Sequence, residues 1–537
     1  MTITENSYAL DNLLIRKQRH IIKRIVVRGT LILDTPTCLG SGDAESPTDL
    51  ALLRDSISDR ALLTGSSIAG ALRNYLRECQ HGYMAGEQAD DLATILFGGM
   101  RSDDDGNQSP LIINDSISTK PIQAELRDGV KINSITRTAA DKAKYDLELL
   151  QAGTEFPLCF ELLIEKDSNE TELRKGLAIA LSGLEPKNDA KSDDAKSGDA
   201  KSGEISLGMK KRRGFGRCHV KEWQVWDFDL TDESDRIAWL TLDHSWLTDP
   251  PCIKPPAVDA SIVAAMKKAG LDVPEDWEDQ RDRFTIKATF KLVSSLLIRS
   301  GLAETGRAPD VVHLKSHRPG KTDAEPVLSG TSLAGVLRHR AERIVNTLHE
   351  VNSQITQEIV NDIFGFVTDK KELSKSESQE NDKKLNAKAS RLIVHESVIK
   401  YTTDLVQTRI AIDRFTGGAY HGALFQEKPV FANDKTELKL EIELRKPDPH
   451  EIGLLLLLLK DLWTEDLPVG GSSSVGRGRL QGKVATLVCS KEGKSWTISQ
   501  PNLKENYLEI IGSDRQDLEN YVVQLVEYTK QEVTSHE

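Results

Sequence analysis

The chain has 537 residues, 38% of them hydrophobic, which is too long for one core and suits two domains of about 200–250 residues each. No apolar run reaches the roughly 18 residues of a membrane span, and the start of the chain has neither the basic nor the apolar part of a secretory signal, so a cytoplasmic protein is expected. The net charge of −13 argues against indiscriminate nucleic-acid binding, and six widely spaced cysteines without a CxxC pair point to neither a zinc ribbon nor a disulfide framework.

After an N-terminal extension (1–22), "KRIVVRGTLIL" (23–33) opens a first unit. The loop "CLGSGDAESPTDLALLRD" (38–55) holds Asp43, Asp49 and Asp55. "TGSSIAGALR" (64–73) follows, where a Gly-Ser-Ser cap precedes Ile68, Leu72, Tyr75 and Leu76 at helical spacing. Then come "LFGG" (96–99), "PLIINDS" (110–116), "INSITRTAADKAKYDLEL" (132–149) and an apolar helix near 175–183. A threefold Asp-Ala-Lys-Ser repeat makes 184–205 a disordered low-complexity insertion. The Gly-rich turn "GMKKRRGFGR" (208–217) and a last strand complete a domain spanning 23–235.

Residues 236–282 read as a linker, and then the same words return in the same order. "RFTIKATFKLV" (283–293) alternates as a half-buried strand and pairs with 23–33. "SGTSLAGVLR" (329–338) shares six of ten positions with 64–73, far above chance. "IFGF" (363–366), "RLIVHES" (391–397), "IAIDRFTGGAYHGALFQE" (410–427), a helix at 450–463 and "GGSSSVGRGR" (470–479) complete a second domain, 283–490. A C-terminal extension (491–537) carries a strand-like "SWTIS" and an acidic amphipathic helix near 514–532. The chain is two copies of one α+β domain in tandem, each reading strand–helix–strands–helix–strand, as in a split βαβ unit.

A Ser-rich helix N-terminus offers free N–H groups and the positive end of a dipole, which suits a phosphate. Ser66, Ser67 and Arg73, repeated as Thr331, Ser332 and Arg338, are therefore candidate anion contacts beside the plain reading of a helix cap. In the two Gly-rich turns, glycine lets a backbone approach a phosphate and arginine can grip it with two hydrogen bonds. Lys210, Lys211, Arg212, Arg213, Gly214, Phe215 and Arg217 in the first, and Arg477 and Arg479 in the second, are the candidates against the plain reading of a tight, solvated turn.

The order of these motifs resembles the RAMP superfamily of CRISPR-associated proteins, and more closely the Cas-seven-like backbone subunit of type III effector complexes. Two fused backbone domains look like a type III-D arrangement. The resemblance implies tandem modified ferredoxin-like (RRM-like) folds, each with a thumb hairpin and a Gly-rich loop. It implies a guide-binding backbone that cuts complementary target RNA at steps of about six nucleotides where bases are splayed out. Its implied partners are the CRISPR guide RNA, single-stranded target RNA, a large polymerase/cyclase-like subunit and other backbone and small subunits, with no membrane. The family's cutting aspartate maps onto Asp49, with Asp43 and Asp55 as alternatives, and onto Asp310 in "IRSGLAETGRAPDVVHLKSHR" (298–318). Arg137 and Arg414 would support the thumb or the guide. An aspartate of ordinary acidity, about 4, is a weak base, so Asp49 and Asp310 are expected as ligands for Mg²⁺ or Mn²⁺. His313, His317, His395 and His421 are weighed as bases and expected as RNA contacts or surface histidines. The alternatives are a guide-binding scaffold that does not cut, and a guide-processing nuclease, ranked low because His81 is placed past the end of the first helix.

Overall fold

The computed structural model describes residues 20–42, 51–88, 91–99, 108–133, 136, 138–187, 202–241, 254–274, 276–300, 309–348, 353–367, 387–500 and 507–531. The chain mixes helices and sheets, with one main sheet in each half.

In the first half, β1 (Ile21–Leu33) is followed by helix α1 (Gly65–His81), a short helix α2 (Leu92–Phe97) and β2 (Leu111–Ile113). A long hairpin of β3 (Ala124–Ile132) and β4 (Ala139–Leu150) precedes β5 (Glu155–Glu165), α3 (Glu170–Ser182) and β6 (Cys218–Asp229). The sheet order is β2–β5–β1–β6, every pairing antiparallel, with an edge strand β7 (Ala257–Asp259) beyond β6. Both crossovers run through helices that bury Ile68, Leu72 and Leu76 of α1 and Leu173 and Leu177 of α3 on one face.

The second half repeats this. Its core strands β8 (Arg283–Leu292), β9 (Leu392–Val394), β10 (Glu437–Arg445) and β11 (Leu480–Cys489) lie in the order β9–β10–β8–β11. Helices α6 (Gly330–Leu348), α7 (Ser353–Phe364) and α8 (Pro449–Trp463) take the places of α1, α2 and α3, once α4 (Glu233–Leu240) and α5 (Ile262–Lys268) are counted between. The leucine run of α8 is apolar on two sides for a reason. One side meets the sheet, and the other meets α9 (Arg515–Gln531), whose Leu518, Tyr521 and Leu525 join the same core. Gly453 is required there, because a Cβ would stand 2.2 Å from Tyr521 O.

Three boundaries differ from the sequence reading. Residues 254–274, expected as linker, fold onto the first half: β7 extends its sheet, and Ile262, Ala265, Met266 and Leu271 lie in its core. The C-terminal extension belongs to the second half, adding β12 (Lys494–Ser499), β13 (Glu509–Gly512) and α9. The ends of the low-complexity span are packed, with Leu184 and Ile205 in the first core; its middle, 188–201, lies outside the described residues. The repeat register also shifts by one. Ile25 faces Leu162 as Phe284 faces Leu444, so Arg24, not Lys23, matches Arg283. A slip of one residue exchanges the two faces of a strand, and the core-facing set decides the register.

Candidate nucleic-acid interface

The two Gly-rich turns are the same structure built twice. Each starts with a left-handed residue, Lys210 (φ 55°) or Ser472 (φ 59°), and closes on a left-handed glycine, Gly214 or Gly476, both at φ 85°. Gly216 and Gly478 then pass so close to Leu207 O and Val469 O that a Cβ would stand 1.8 Å away in both.

Their surroundings differ. The first turn is seated in the seam between the halves. Arg213 O packs on Gly330 at the start of α6, and Gly214 packs on the main chain of His395–Glu396. The Arg213 guanidinium donates to Leu392 O (3.2 Å) and Ser390 Oγ (3.4 Å), and Arg217 pairs with Glu441 at 2.9 Å. Phe215 is buried against Cys38, Leu147 and Leu149, and Lys210 lies over the Tyr145 ring at 3.7 Å. Lys211 is exposed, while burial and the neighbouring Arg445 bring Arg212 down to about 10. In the second turn residues 473–476 are exposed, Arg479 donates to Glu465 O, and Arg477 is buried against Glu427 and Gln407, each at 2.9 Å. Arg414 is exposed between Gln407–Arg409 and Phe425–Lys428, together with Phe415 and Tyr420; Arg137 lies outside the described residues.

The matched glycines give a comparison that isolates the seam. A Cβ on Gly214 would meet Glu396 N at 2.4 Å, whereas one on Gly476 meets nothing within 4 Å. Gly476→Ala is expected to cost about 1 kcal/mol of backbone strain, and Gly214→Ala about 2 kcal/mol more, read as a difference between thermal melts.

The repeated helix starts are closed by the protein itself. Ser66 and Ser67 are exposed, but Thr64 Oγ1 accepts from Ser67 N and Asp115 Oδ1 accepts from Gly65 N at 2.7 Å. At α6, Ser329 Oγ accepts from Ser332 N, Thr331 Oγ1 lies 3.2 Å from Ser329 Oγ, and Arg213 O covers Gly330. Arg73 donates to Gly99 O (3.1 Å) and Arg338 to Gly365 O (2.6 Å), tying each first helix to the end of the next.

Asp310 is exposed just before the short strand Val311–Val312, which runs parallel to Phe425–Lys428. Its Oδ2 accepts from Gln426 N at 2.8 Å. The first copy fastens its loop to its own hairpin in a similar way, with Glu148 accepting from Leu52 N (3.1 Å) and Arg54 (2.8 Å). Asp43 and Asp49 lie outside the described residues. Asp55 is a turn residue: its carboxylate accepts from Ser58 N and Oγ, which hold it below the usual range. Among the described residues no group of three His, Cys, Asp or Glu side chains is placed to hold a metal. Asp310 would supply one carboxylate to a hydrated cation and leave the other ligands to water and phosphate, which is how Mg²⁺ is often held.

The histidines divide. His313 is no surface histidine: Nδ1 accepts from Ile298 N (3.2 Å) and Nε2 donates to Val327 O (3.1 Å), and burial brings it down to about 4. Burial at the seam, with Arg217 nearby, brings His395 also to about 4, beside Glu441, Glu443 and Arg445. His317 faces Glu125 of the other half at 2.9 Å, and His421 is exposed. His81 is the last residue of α1 rather than beyond it, and its Nε2 lies 2.5 Å from Asp91. The two lowered histidines fix the sign of the acid response. Their unfolded value is 6.5, so the fold favours the neutral form, and the stability they contribute is complete above 6.5 and lost as the pH falls toward 4. The urea midpoint is expected to stay level above about pH 7 and fall steadily between pH 6.5 and 4, and His395→Gln is expected to flatten that slope.

A second feature of the seam is silent in the sequence. Arg127 of the first hairpin and Arg318 of the second half both pair with Glu396, at 2.9 and 2.7 Å, and Glu125 pairs with His317. Partners 192 and 269 residues apart leave no pattern along a chain.

A family model described as the RAMP superfamily matches residues 30–219 and, a second time, 289–481. No curated protein matches the chain.

Proposed function

The chain belongs to the RAMP superfamily, whose members are associated with CRISPR complexes and RNA binding, and on that premise we propose that it is a backbone subunit of a type III effector complex, of the III-D kind, that binds guide RNA and cuts the paired target RNA. One observation carries the reading. The family match occurs twice, and the Gly-rich turn of the first copy is seated on the first-helix start of the second, so two hairpins, 124–150 and 407–428, follow each other in a fixed order. That is the arrangement a periodic backbone along one RNA strand requires.

Guide contacts would be largely phosphate contacts, made by the cations that the seam leaves accessible: Lys211 at its edge, with the half-buried Arg212 beside it, and Arg414 and Arg479 in the second copy. Arg213, Arg217 and Arg477 would act one step back, by holding the turns in shape. RNA brings its own nucleophile, the 2′-OH. A splayed nucleotide that aligns this hydroxyl with the P–O5′ bond makes positioning the main contribution, and yields a 2′,3′-cyclic phosphate and a 5′-OH. A divalent cation, Mg²⁺ or Mn²⁺, would supply neutralisation of the phosphate charge. Asp310, fixed by Gln426 N, and Asp49 in the first copy would hold it, in a cytoplasmic complex with the other effector subunits. Among the described residues no helix is long and apolar enough to cross a membrane.

The second reading, a scaffold that binds guide RNA without cutting, is favoured by the same hydrogen bond, because holding a main-chain N–H is ordinary work for a loop aspartate. Reconstitution with guide and end-labelled target RNA, with Asp49 and Asp310 replaced in turn, separates the two.

A further inference from the structure

We propose that Glu125 and Arg127 of the first copy, with Ser316, His317, Arg318 and Glu396 of the second, form a clamp that positions Asp310 between the two hairpins and so sets where the Asp310-dependent cut falls. This rests on the reading of the chain as a target-RNA nuclease.

The clamp is a charge-balanced group whose two carboxylates and Arg127 are almost closed to water. The Glu396 side chain is 1% exposed and lies between Arg127 (2.9 Å) and Arg318 (2.7 Å). Glu125, 8% exposed, accepts from His317 N at 2.7 Å and from Ser316 Oγ at 3.2 Å, and its other contacts are His317 Nδ1 (2.9 Å) and Arg127 (3.4 Å). Burial alone would push the Glu396 carboxyl up, but Arg127 and Arg318 overcome it and hold the group ionised. A buried ionic group of this kind adds little net stability, but it tolerates one arrangement only, because any displacement leaves a charge unpaired out of water.

The arrangement it fixes leads to Asp310. Between Asp310 and Ser316 the chain is held at three points. Asp310 is bonded to Gln426 N, Val311–Val312 pair with Glu427–Lys428, and the His313 ring is bonded on both sides. The hairpin of the first copy (124–150) is thereby joined at its base, through a short stretch without slack, to the carboxylate of the second. The base of the second hairpin is built differently: Gln407 and Glu427 turn inward to Arg477 of their own half. The joint therefore belongs to the seam and has no twin at that hairpin.

The test uses the full chain in the reconstituted complex, with Glu125→Gln and Arg127→Met and target cuts mapped to single nucleotides. The Asp310-dependent cut is expected to slow about ten- to hundredfold and to spread onto neighbouring phosphates, because a misplacement of about 1 Å is enough. Guide retention and the Asp49-dependent cut, made by the same molecules, are expected to hold, which excludes a failure to fold. An unchanged rate and position of the Asp310-dependent cut in both variants overturns the clamp, as does an equal loss of both cuts. If Asp310→Ala removes no cut at all, Asp310 has no part in cutting and the clamp's role falls with it; if Asp49→Ala removes none either, the nuclease reading falls as well.

Discussion

Alanine at Asp310 is expected to remove one of two target cuts while guide binding and the other cut continue, and alanine at Asp49 is expected to do the converse. Neutralising a phosphate through a bound cation is worth several kcal/mol in a transition state, so the affected cut should slow about 10²- to 10³-fold. Asp310→Asn sharpens the result. Asparagine keeps an oxygen that can accept from Gln426 N, so the loop keeps its hydrogen bond while the negative charge is lost. If Asp310→Asn is as defective as Asp310→Ala, the charge is the active ingredient. If Asp310→Asn cuts normally and Asp310→Ala does not, the side chain acts only by holding Gln426. If both variants cut normally at both positions, Asp310 takes no part in cutting, and if Asp49→Ala also cuts normally at both, the chain is a scaffold. Raising Mg²⁺ should partly restore a weakened site and should not restore an absent one.

What the sequence disclosed and what it withheld divide along physical lines. The strand 283–292 alternates strictly, and its even-numbered residues are the buried ones, because a half-buried strand must show a period of two. The duplicated ten-residue motif was legible as a repeat but ambiguous as chemistry. Its glycine fits because a carbonyl presses on it, Ile113 O on Gly65 and Val394 O on Gly330, and its arginine caps the end of the next helix. Both demands come from packing, so two copies retain the same letters without any ligand. The basic turn misled more. Six cations in the twelve residues 210–221 look like a solvated or RNA-facing stripe, yet Arg213 and Arg217 find carbonyl and carboxylate partners in the other half. Those partners lie 179 and 224 residues further on, beyond any local pattern. Residues 254–274 looked like linker because a seven-residue helix shows too little period to be read. What holds it is a core made mostly by other elements.

A second substitution, Glu204→Ala, is expected to lower the melting temperature by about 10 °C and to uncouple the two halves. Glu204 is the centre of a partly buried cluster at the crossing from one half to the other. Its carboxylate accepts from Arg281 (2.7 Å), Arg283 (2.8 Å) and Tyr75 OH (2.7 Å), and pairs with Lys187 (2.8 Å). Burial pushes the carboxyl up, but Arg281, Arg283 and Lys187 overcome that and hold it well below the usual range. Removing it leaves Arg281, whose side chain is 3% exposed, with Asp279 as its remaining carboxylate, and strips the first residue of β8 of its tie to the first half. Uncovering a buried charge in this way costs about 3–5 kcal/mol, and each kcal/mol moves the melt of a domain of about this size by about 2–4 °C. Because Arg283 begins the central strand of the second sheet, the loss falls on the joint rather than on either core, and calorimetry should show one transition becoming two. Glu204→Gln keeps acceptors for Tyr75 and one guanidinium but not the charge, and should fall between. A melt of Glu204→Ala within about 2 °C of the parent would mean that Asp279 alone satisfies Arg281, and that the halves are held by the seam around Glu396 and Glu441.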